Sequence, residues 1–414
     1  MNPPPRTSLW RHRDFRLYWT GQASDVLGSS LSSVAIPLVA VITLHATTWQ
    51  AAVLAAVQKT PPLLFSLPAG AWCDRVRKRP LMVATSLVCA VVMGSIPLAA
   101  ACDRLTLAQL WGAAFVVGSC HVVGMSASLS YIPQLLPTDR LLEANAKLAS
   151  ANTLADIGGP ALAGALIGVI GAARSVVADS ASYLVTAWCT LRIRTPEAAP
   201  HPRAETPSLR REIRAGLAYT WRHPVIGPLV TTNAITSTVL AGTSAIWIVF
   251  LVRQLHWSPQ VFALVMSIGA SGGFLASLTT PRLTDRYGAG PVMISALTLA
   301  PVSQLPLLLA HPGAAGQLAI GCGLFAQLFG AVTHGLTQRT VRQRACSPDM
   351  QGRMQATGQW TAFGLRPFAA LLAGFAGTTL GLRTTLAIGA CLLLLPPIRL
   401  ALTPIRSLRP APTP

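Results

Sequence analysis

Gly70-Ala-Trp-Cys-Asp74-Arg75-Val-Arg-Lys78-Arg79-Pro80 ends one long apolar run, precedes another, and places five charges within six residues between them. A weaker copy stands roughly two hundred positions later, Pro281-Arg-Leu-Thr-Asp285-Arg286-Tyr-Gly288-Ala-Gly-Pro291. Two charged turns of one design imply a membrane protein built from two related halves, each carrying a short loop on the same side of the bilayer.

The apolar runs on either side fix the class. The chain has 414 residues, 52% hydrophobic and 11% charged, whereas ordinary soluble domains carry about 25% charged residues. Pro80–Cys102, His223–Val252 and Tyr287–Gln338 contain no Asp, Glu, Lys or Arg. A bilayer core takes about 20 apolar residues per helix, so the last window holds two spans. Hydropathy predicts about twelve spans, at roughly 15–43, 49–72, 80–102, 106–131, 149–171, 174–193, 225–252, 258–281, 290–310, 314–338, 355–379 and 383–403. The expected fold is an all-α integral membrane protein, with about twelve transmembrane helices in two pseudo-symmetric six-helix bundles. The expected domains are residues 1–194, a cytoplasmic linker 195–223, residues 224–404 and a short cytoplasmic tail 405–414.

The net charge of +19 would suggest nucleic acid in a soluble protein, but here most basic residues fall in loops on one side. That pattern orients a membrane protein with both termini cytoplasmic, leaving Arg104, Arg174, Arg253 and Arg383 outside. No nucleic-acid partner is expected; the surroundings are the lipid bilayer of the cell membrane, and the protein is expected to be a monomer. The amino terminus runs into an apolar segment without a cleavage pattern, so it reads as an uncleaved first span. Eight cysteines occur singly, with no Cys-x-x-Cys, so neither a disulfide framework nor a metal site is expected. The one long connection, Arg192 to His223, opens with four prolines. It continues as SLRREIRAGLAYTW, in which Leu209, Ile213 and Leu217 share a helical face, an amphipathic basic helix suited to the inner leaflet.

No phosphate-cradling Gly-x-x-x-x-Gly-Lys-Ser/Thr and no hydrolase motif occurs, so neither ATP-driven pumping by this chain nor catalysis is expected. No cofactor is expected either; the driving force would be a proton gradient. What stands out instead is ionisable side chains at membrane depth, each costing about 2.5–3.5 kcal/mol on insertion scales. Gln22, Asp25, Ser29, Ser32 and Ser33 follow at helical spacing and make a polar stripe on span one. By helical rise, Asp25 and Lys59 reach comparable depths, and Asp156 is somewhat shallower, so Lys59 pairs with either carboxylate. Such a group could carry a proton across, or could be a static ion pair that sets helix register. Arg366 precedes Pro367 and either holds an anionic substrate or snorkels to the cytoplasm. Asp179, five residues after Arg174, reads as a structural pair near the outer end of span six. His121 and His334 sit in spans four and ten and are further cavity-lining candidates, although lone histidines there serve packing more often than proton relay.

The loop at Gly70 resembles the hallmark of the major facilitator superfamily, Gly-x-x-x-Asp-Arg-x-Gly-Arg-Lys/Arg. Gly70, Asp74, Arg75, Lys78 and Arg79 match it, Arg77 replaces its second Gly, and the second copy keeps Asp285, Arg286 and Gly288. Gly159-Pro160-Ala-Leu-Ala-Gly164 is similar to that family's antiporter signature, with Ala163 in place of a Gly. The resemblance runs over nearly the whole chain and is nearest to the bacterial exporters of macrolides and siderophores, the drug:proton antiporter branch. It implies alternating access about a cavity lined by spans one, four, five, seven, eight, ten and eleven, with Trp247, Phe250, Gln327 and Trp360 as further lining residues. It also implies that Asp74 meets the start of span eleven near Gly352 and Arg353, with Asp285 doing the same at span five. The span-four arginine of the drug antiporters is missing here. The expected function is proton-antiport export of a small lipophilic molecule, such as a drug, siderophore or secondary metabolite. The alternatives are a proton-coupled uptake symporter for a sugar or organic anion, and a non-transporting sensor or scaffold.

Overall fold

The structure is a computed structural model that describes residues 9–137, 140–197, 217–347 and 350–407. Among these there is no strand. The helices fall in order on the expected spans: α1 (Arg13–Leu38), α2 (Thr48–Arg75), α3 (Lys78–Ala101), α4 (Leu107–Leu135), α5 (Leu141–Ile170), α6 (Ala172–Ser175) and α7 (Val177–Arg192). After the linker come α8 (Ile226–Arg253), α9 (Pro259–Tyr287), α10 (Ala289–Val302), α11 (Gln304–Leu309) and α12 (Ala314–Ala345). The chain then finishes with α13 (Gln351–Gly364), α14 (Arg366–Thr379), α15 (Leu382–Leu392) and α16 (Leu395–Ala401). Nine helical stretches are long and apolar enough on their own to cross a membrane among the described residues.

Several expected spans are broken, and proline accounts for most of the breaks. Pro301 precedes the α10–α11 step, Pro367 opens α14, and Pro396 and Pro397 open α16. Proline has no N–H to donate, and its ring clashes with the carbonyl four residues back. Pro37 loosens the end of α1 in the same way, and the next turn, Val39–Thr43, is a π-helix.

Local backbone conformation reveals the internal repeat. In the connection after α1, His45 takes φ 49°, and in the connection after α8, His256 takes φ 53°. Each is followed by a hydroxyl cap: Thr47 Oγ1 accepts from Gln50 N (3.2 Å) and Ser258 Oγ from Val261 N (3.3 Å). Likewise Gly171 (φ 83°, ψ 161°) joins α5 to α6, and Gly381 (φ 87°, ψ 155°) joins α14 to α15. That region of backbone space is open essentially to glycine alone.

By packing, the chain forms two units: residues 1–45 with 60–203, and residues 46–59 with 204–414. In the first unit α1 packs on α5 and α7, and α3 on α4 and α7. Phe15, Tyr18 and Tyr131 form the core near the start of α1. In the second unit α12 packs on α9 and α10, and α8 on α14. The first half of α2 joins this unit through an alanine cluster, Ala52, Ala56, Ala245 and Ala370.

The charged stretch that announced the fold is mostly helical. α2 runs through Arg75, only Val76 and Arg77 break it, and α3 starts at Lys78. The backbone N–H groups at that start, which have no partner within the helix, meet a carboxylate: Glu197 accepts from Lys78 N and from Arg79 N (3.2 Å). Asp14 Oδ2 accepts from Arg194 N (3.0 Å), Thr195 N (2.8 Å) and Thr195 Oγ1 (2.7 Å). The linker therefore begins stitched to the first unit. Its expected amphipathic helix lies outside the described residues up to position 216.

Candidate functional site

The polar stripe on α1 opens onto a cavity of about 610 Å³ inside the first unit, lined from α1, α3, α4, α5 and α7. Of the expected residues, Gln22, Asp25, Ser29 and His121 line it. Helical periodicity puts Gln22, Asp25 and Ser29 on one side of α1, and α3 and α4 complete the wall with Cys89, Cys120 and Ser128. A hydrogen-bond chain holds the wall: Tyr18 OH meets Ser128 Oγ at 2.5 Å, and Ser128 Oγ donates to Gln22 Oε1 at 3.3 Å. On the opposite side Ser29 Oγ and Tyr183 OH are 3.4 Å apart.

Asp25 Oδ1 is buried and has no hydrogen-bond partner among the described residues. Its charged neighbour is another carboxylate, Asp179, close enough for the two to repel electrostatically. Asp179 is 1% exposed. Its Oδ2 accepts from Ser32 Oγ at 2.5 Å, its Oδ1 from Ser182 Oγ at 3.3 Å, and its carbonyl from Ser182 Oγ at 2.8 Å. Gly28 makes this approach possible, because a Cβ there would lie 2.6 Å from Asp179 Oδ1 and collide with Ser182.

These contacts correct three sequence readings. Asp179 does not pair with Arg174, which is exposed; it belongs to the carboxylate cluster beside the cavity. Ser32 turns to Asp179 instead of lining the cavity. Lys59 forms no ion pair with Asp25: it packs in the second unit, where its charged neighbour is Arg366. The Asp156 side chain lies outside the described residues. A signal for Asp179 was present, since Asp179, Ser182, Tyr183 and Thr186 repeat at helical spacing and give α7 a polar stripe like that of α1.

The antiporter-like segment has a steric role in the first unit. Gly159, Pro160 and Gly164 are buried, and a Cβ on Gly159 would fall on Ser30 Cβ, so α5 lies directly against α1. In the hallmark stretch Gly70 is helical, as is Gly352, and their surroundings, like the side chains of Asp74, Arg75 and Arg353, lie outside the described residues. Lys78 is buried, and Arg79 reaches back to the carbonyls of Thr190 (3.1 Å) and Leu191 (2.5 Å) at the end of α7. In the second copy Asp285 and Arg286 are exposed, and Gly288 takes φ 88° to turn the chain from α9 into α10.

Expected lining residues of the second unit divide. Phe250 is fully buried with Arg383 over its ring at 5.8 Å, and His334 is 4% exposed against the backbone of Met293. Both are packing residues, which corrects the expectation that they face a cavity. Gln327 Oε1 accepts from Gln304 Nε2 (3.1 Å), Trp247 packs on Phe262 at 5.5 Å, and Trp360 is 43% exposed. Arg366 Nε donates to Ser237 Oγ at 2.7 Å, with the guanidinium over Phe363 at 4.2 Å. No three His, Cys, Asp or Glu come together as a metal site among the described residues.

Membrane-length helices in two repeated units, one holding a cavity with a carboxylate in its wall, define a multi-pass membrane transporter. The chain belongs to the Major Facilitator Superfamily, whose sequence pattern matches residues 18–365. The enterobactin exporter EntS of Salmonella typhi is 22% identical over 361 residues, 86% of this chain and 83% of that protein. EntS of Escherichia coli O127:H6 is 23% identical over 358 residues, 86% of this chain and 82% of that protein. Among solved structures, nucleoside transporter NupG aligns with TM-score 0.72 at 12% identity, covering 94% of this chain and 98% of that one. A bacterial homologue of the iron transporter ferroportin, inward-facing, aligns with TM-score 0.71 at 16% identity, covering 95% and 98%.

Proposed function

We propose that this transporter exports a small, largely lipophilic molecule by alternating access, in exchange for protons that enter through the Asp25–Asp179 cluster. The observation that carries this reading is Asp25, whose Oδ1 is buried at the cavity wall next to a second carboxylate, with no hydrogen-bond partner and no lining Lys or Arg among the described residues. An ionised carboxylate with one oxygen buried and unpartnered is costly unless water or a cation reaches it, so alternating access of water to this wall lets the group take up and release a proton. That is what a proton-exchanging carrier needs.

The cavity suits such a cargo. Its volume falls within the roughly 300–1,000 Å³ of small-molecule pockets, and its polar groups are mostly neutral hydroxyls, amides and thiols between Met82, Leu129 and Ile132. The relatives named enterobactin exporters favour export over uptake and make a siderophore or similar product a reasonable cargo. The reading requires no cofactor, a monomer suffices for it, and the charge distribution favours a cell-membrane protein with cytoplasmic termini.

Inside-out vesicles carrying the protein, given an imposed pH gradient and a neutral fluorescent lipophile, test it. Accumulation that collapses with a protonophore is expected. Asp25→Asn is expected to lose the pH-driven accumulation while still binding the lipophile, because the amide keeps the shape and cannot release a proton. Accumulation equally pH-driven in Asp25→Asn would reject Asp25 as a proton carrier, and no accumulation in the wild type would favour the scaffold reading.

A further inference from the structure

The second unit holds two cations at membrane depth, and none of its described residues meets them with an opposite charge. A row of close contacts fixes their placement. A Cβ on Gly377 would lie 3.3 Å from Thr48 Cγ2, a Cβ on Gly374 would fall on Ala52, and Ala56 clusters with Ala370. Moving along α2 in one direction therefore moves along α14 in the other, and one turn beyond Ala56 and Ala370 this register brings Lys59 against Arg366. The electrostatic repulsion between the two groups agrees with that placement.

Two like charges in this setting need compensation. The only acid among the second unit's described residues is Asp285, which is exposed at the far end of α9. Arg366 uses Nε on Ser237, whose hydroxyl in turn donates to the Ala362 carbonyl at 3.0 Å, and stacks on Phe363. The guanidinium is thus oriented, while no ion pair joins it or Lys59 to a described residue. An oriented guanidinium with a second cation beside it and no carboxylate among the described residues, next to polar Ser237 and the aromatic face of Phe363, suits an oxyanion on an apolar body.

We infer that Lys59 and Arg366 form an anion-binding corner of the second unit, which takes the carboxylate, phenolate or phosphate group of an organic anion. This rests on the export reading and narrows it, since the cargo is then a lipophile that carries negative charge.

The probe pair is pyrenebutyrate and pyrenebutanol, of matched shape and different charge, with binding to the purified protein in neutral detergent followed by fluorescence anisotropy. The wild type is expected to prefer the carboxylate about tenfold, the worth of one charge-assisted contact. Lys59→Met and Arg366→Gln are each expected to bring the ratio close to one, and Lys59→Arg to preserve it. Gel filtration of each variant reports folding. The wild-type ratio needs no variant, and a ratio near one overturns the inference. So does a ratio that survives both charge-removing substitutions. If the wild type shows no preference and Asp156→Asn creates one, that carboxylate neutralises the cations and the corner is not a receptor. Loss of the preference when phosphatidylglycerol, but not phosphatidylcholine, is added assigns the corner to a lipid headgroup and overturns the substrate role. Pyrenebutanol accumulation in the vesicles reports on export separately, so failure of the anion preference and failure of export are distinguishable.

Discussion

Gly158 and Gly159 are adjacent in one helix, yet they should respond oppositely to the same added methyl group. A Cβ on Gly158 meets nothing within 4 Å, whereas on Gly159 it falls on Ser30 Cβ and lies 3.2 Å from Ser30 Oγ and 3.6 Å from the Ser30 carbonyl carbon. The obstruction is mostly backbone and Cβ of α1, which no rotamer change removes, so α1 and α5 must part. Gly to Ala in a helix interior gains up to about 1 kcal/mol of propensity. This gain is common to both sites and cancels in their comparison, leaving an overpacking cost of about 1–3 kcal/mol at Gly159 alone. Native cysteines supply the assay, since Cys73, Cys89, Cys189 and Cys346 are buried and react with a maleimide dye only as the protein opens. Gly158→Ala is expected to melt at or above the wild-type temperature and Gly159→Ala several degrees lower. Because α1 carries Asp25, Gly159→Ala should also raise proton leak in liposomes. Equal melting temperatures for the two variants would refute the close α1–α5 approach.

Glu197→Ala removes the carboxylate from two N–H groups at the start of α3; the site is partly exposed, so a loss of about 1 kcal/mol is expected by thermal melting. Asp14→Ala frees Arg194 and Thr195, and faster tryptic cleavage after Arg194 than in the wild type is the expected result. Gly171→Ala and Gly381→Ala force a side chain into backbone space suited to glycine, at about 1–3 kcal/mol each, and both should lower the yield of folded protein. If an anion leaves as a proton enters, both steps carry positive charge inward, so an interior-negative potential should accelerate export. One charge is worth about 2.3 kcal/mol per 100 mV, and transport indifferent to a valinomycin-imposed potential would contradict that stoichiometry.

The helices were legible because lipid leaves a chain few choices: a charge-free stretch such as Pro80–Cys102 has to satisfy its backbone internally, and helices do so. Breaks were less legible, because a proline ends some helices and is tolerated in others. Pro160 sits inside unbroken α5, while Pro367 opens a new helix. In the site, the stripe on α1 was readable since Asp25 recurs with serines at a helical period. Asp179 was misread for a physical reason. Arg174 is near it in sequence, but its actual partner, Ser32, is 147 residues away, and only the approach at Gly28 brings them together. Depth alone matches Lys59 with a carboxylate, and depth does not say toward which neighbour a side chain of a long helix turns.

The sorting of charge between the units is itself informative. An intramembrane ion pair is most economical when its partners share a packed unit, because the geometry is then fixed through the transport cycle. This chain does the opposite with its described side chains: Asp25 and Asp179 sit together without a cation, and Lys59 and Arg366 sit together without an acid. Neither pair is offered an opposite charge by the described residues of its own unit. Structural pairing would have made such an arrangement needlessly expensive, whereas a site whose missing charge comes and goes with a ligand requires it. On the proposed reading a proton completes the first pair and an organic anion the second, and in an exchanger the two deficits are relieved in turn. On that reading each ligand moves the carrier only as far as its binding energy differs between the inward-open and outward-open forms.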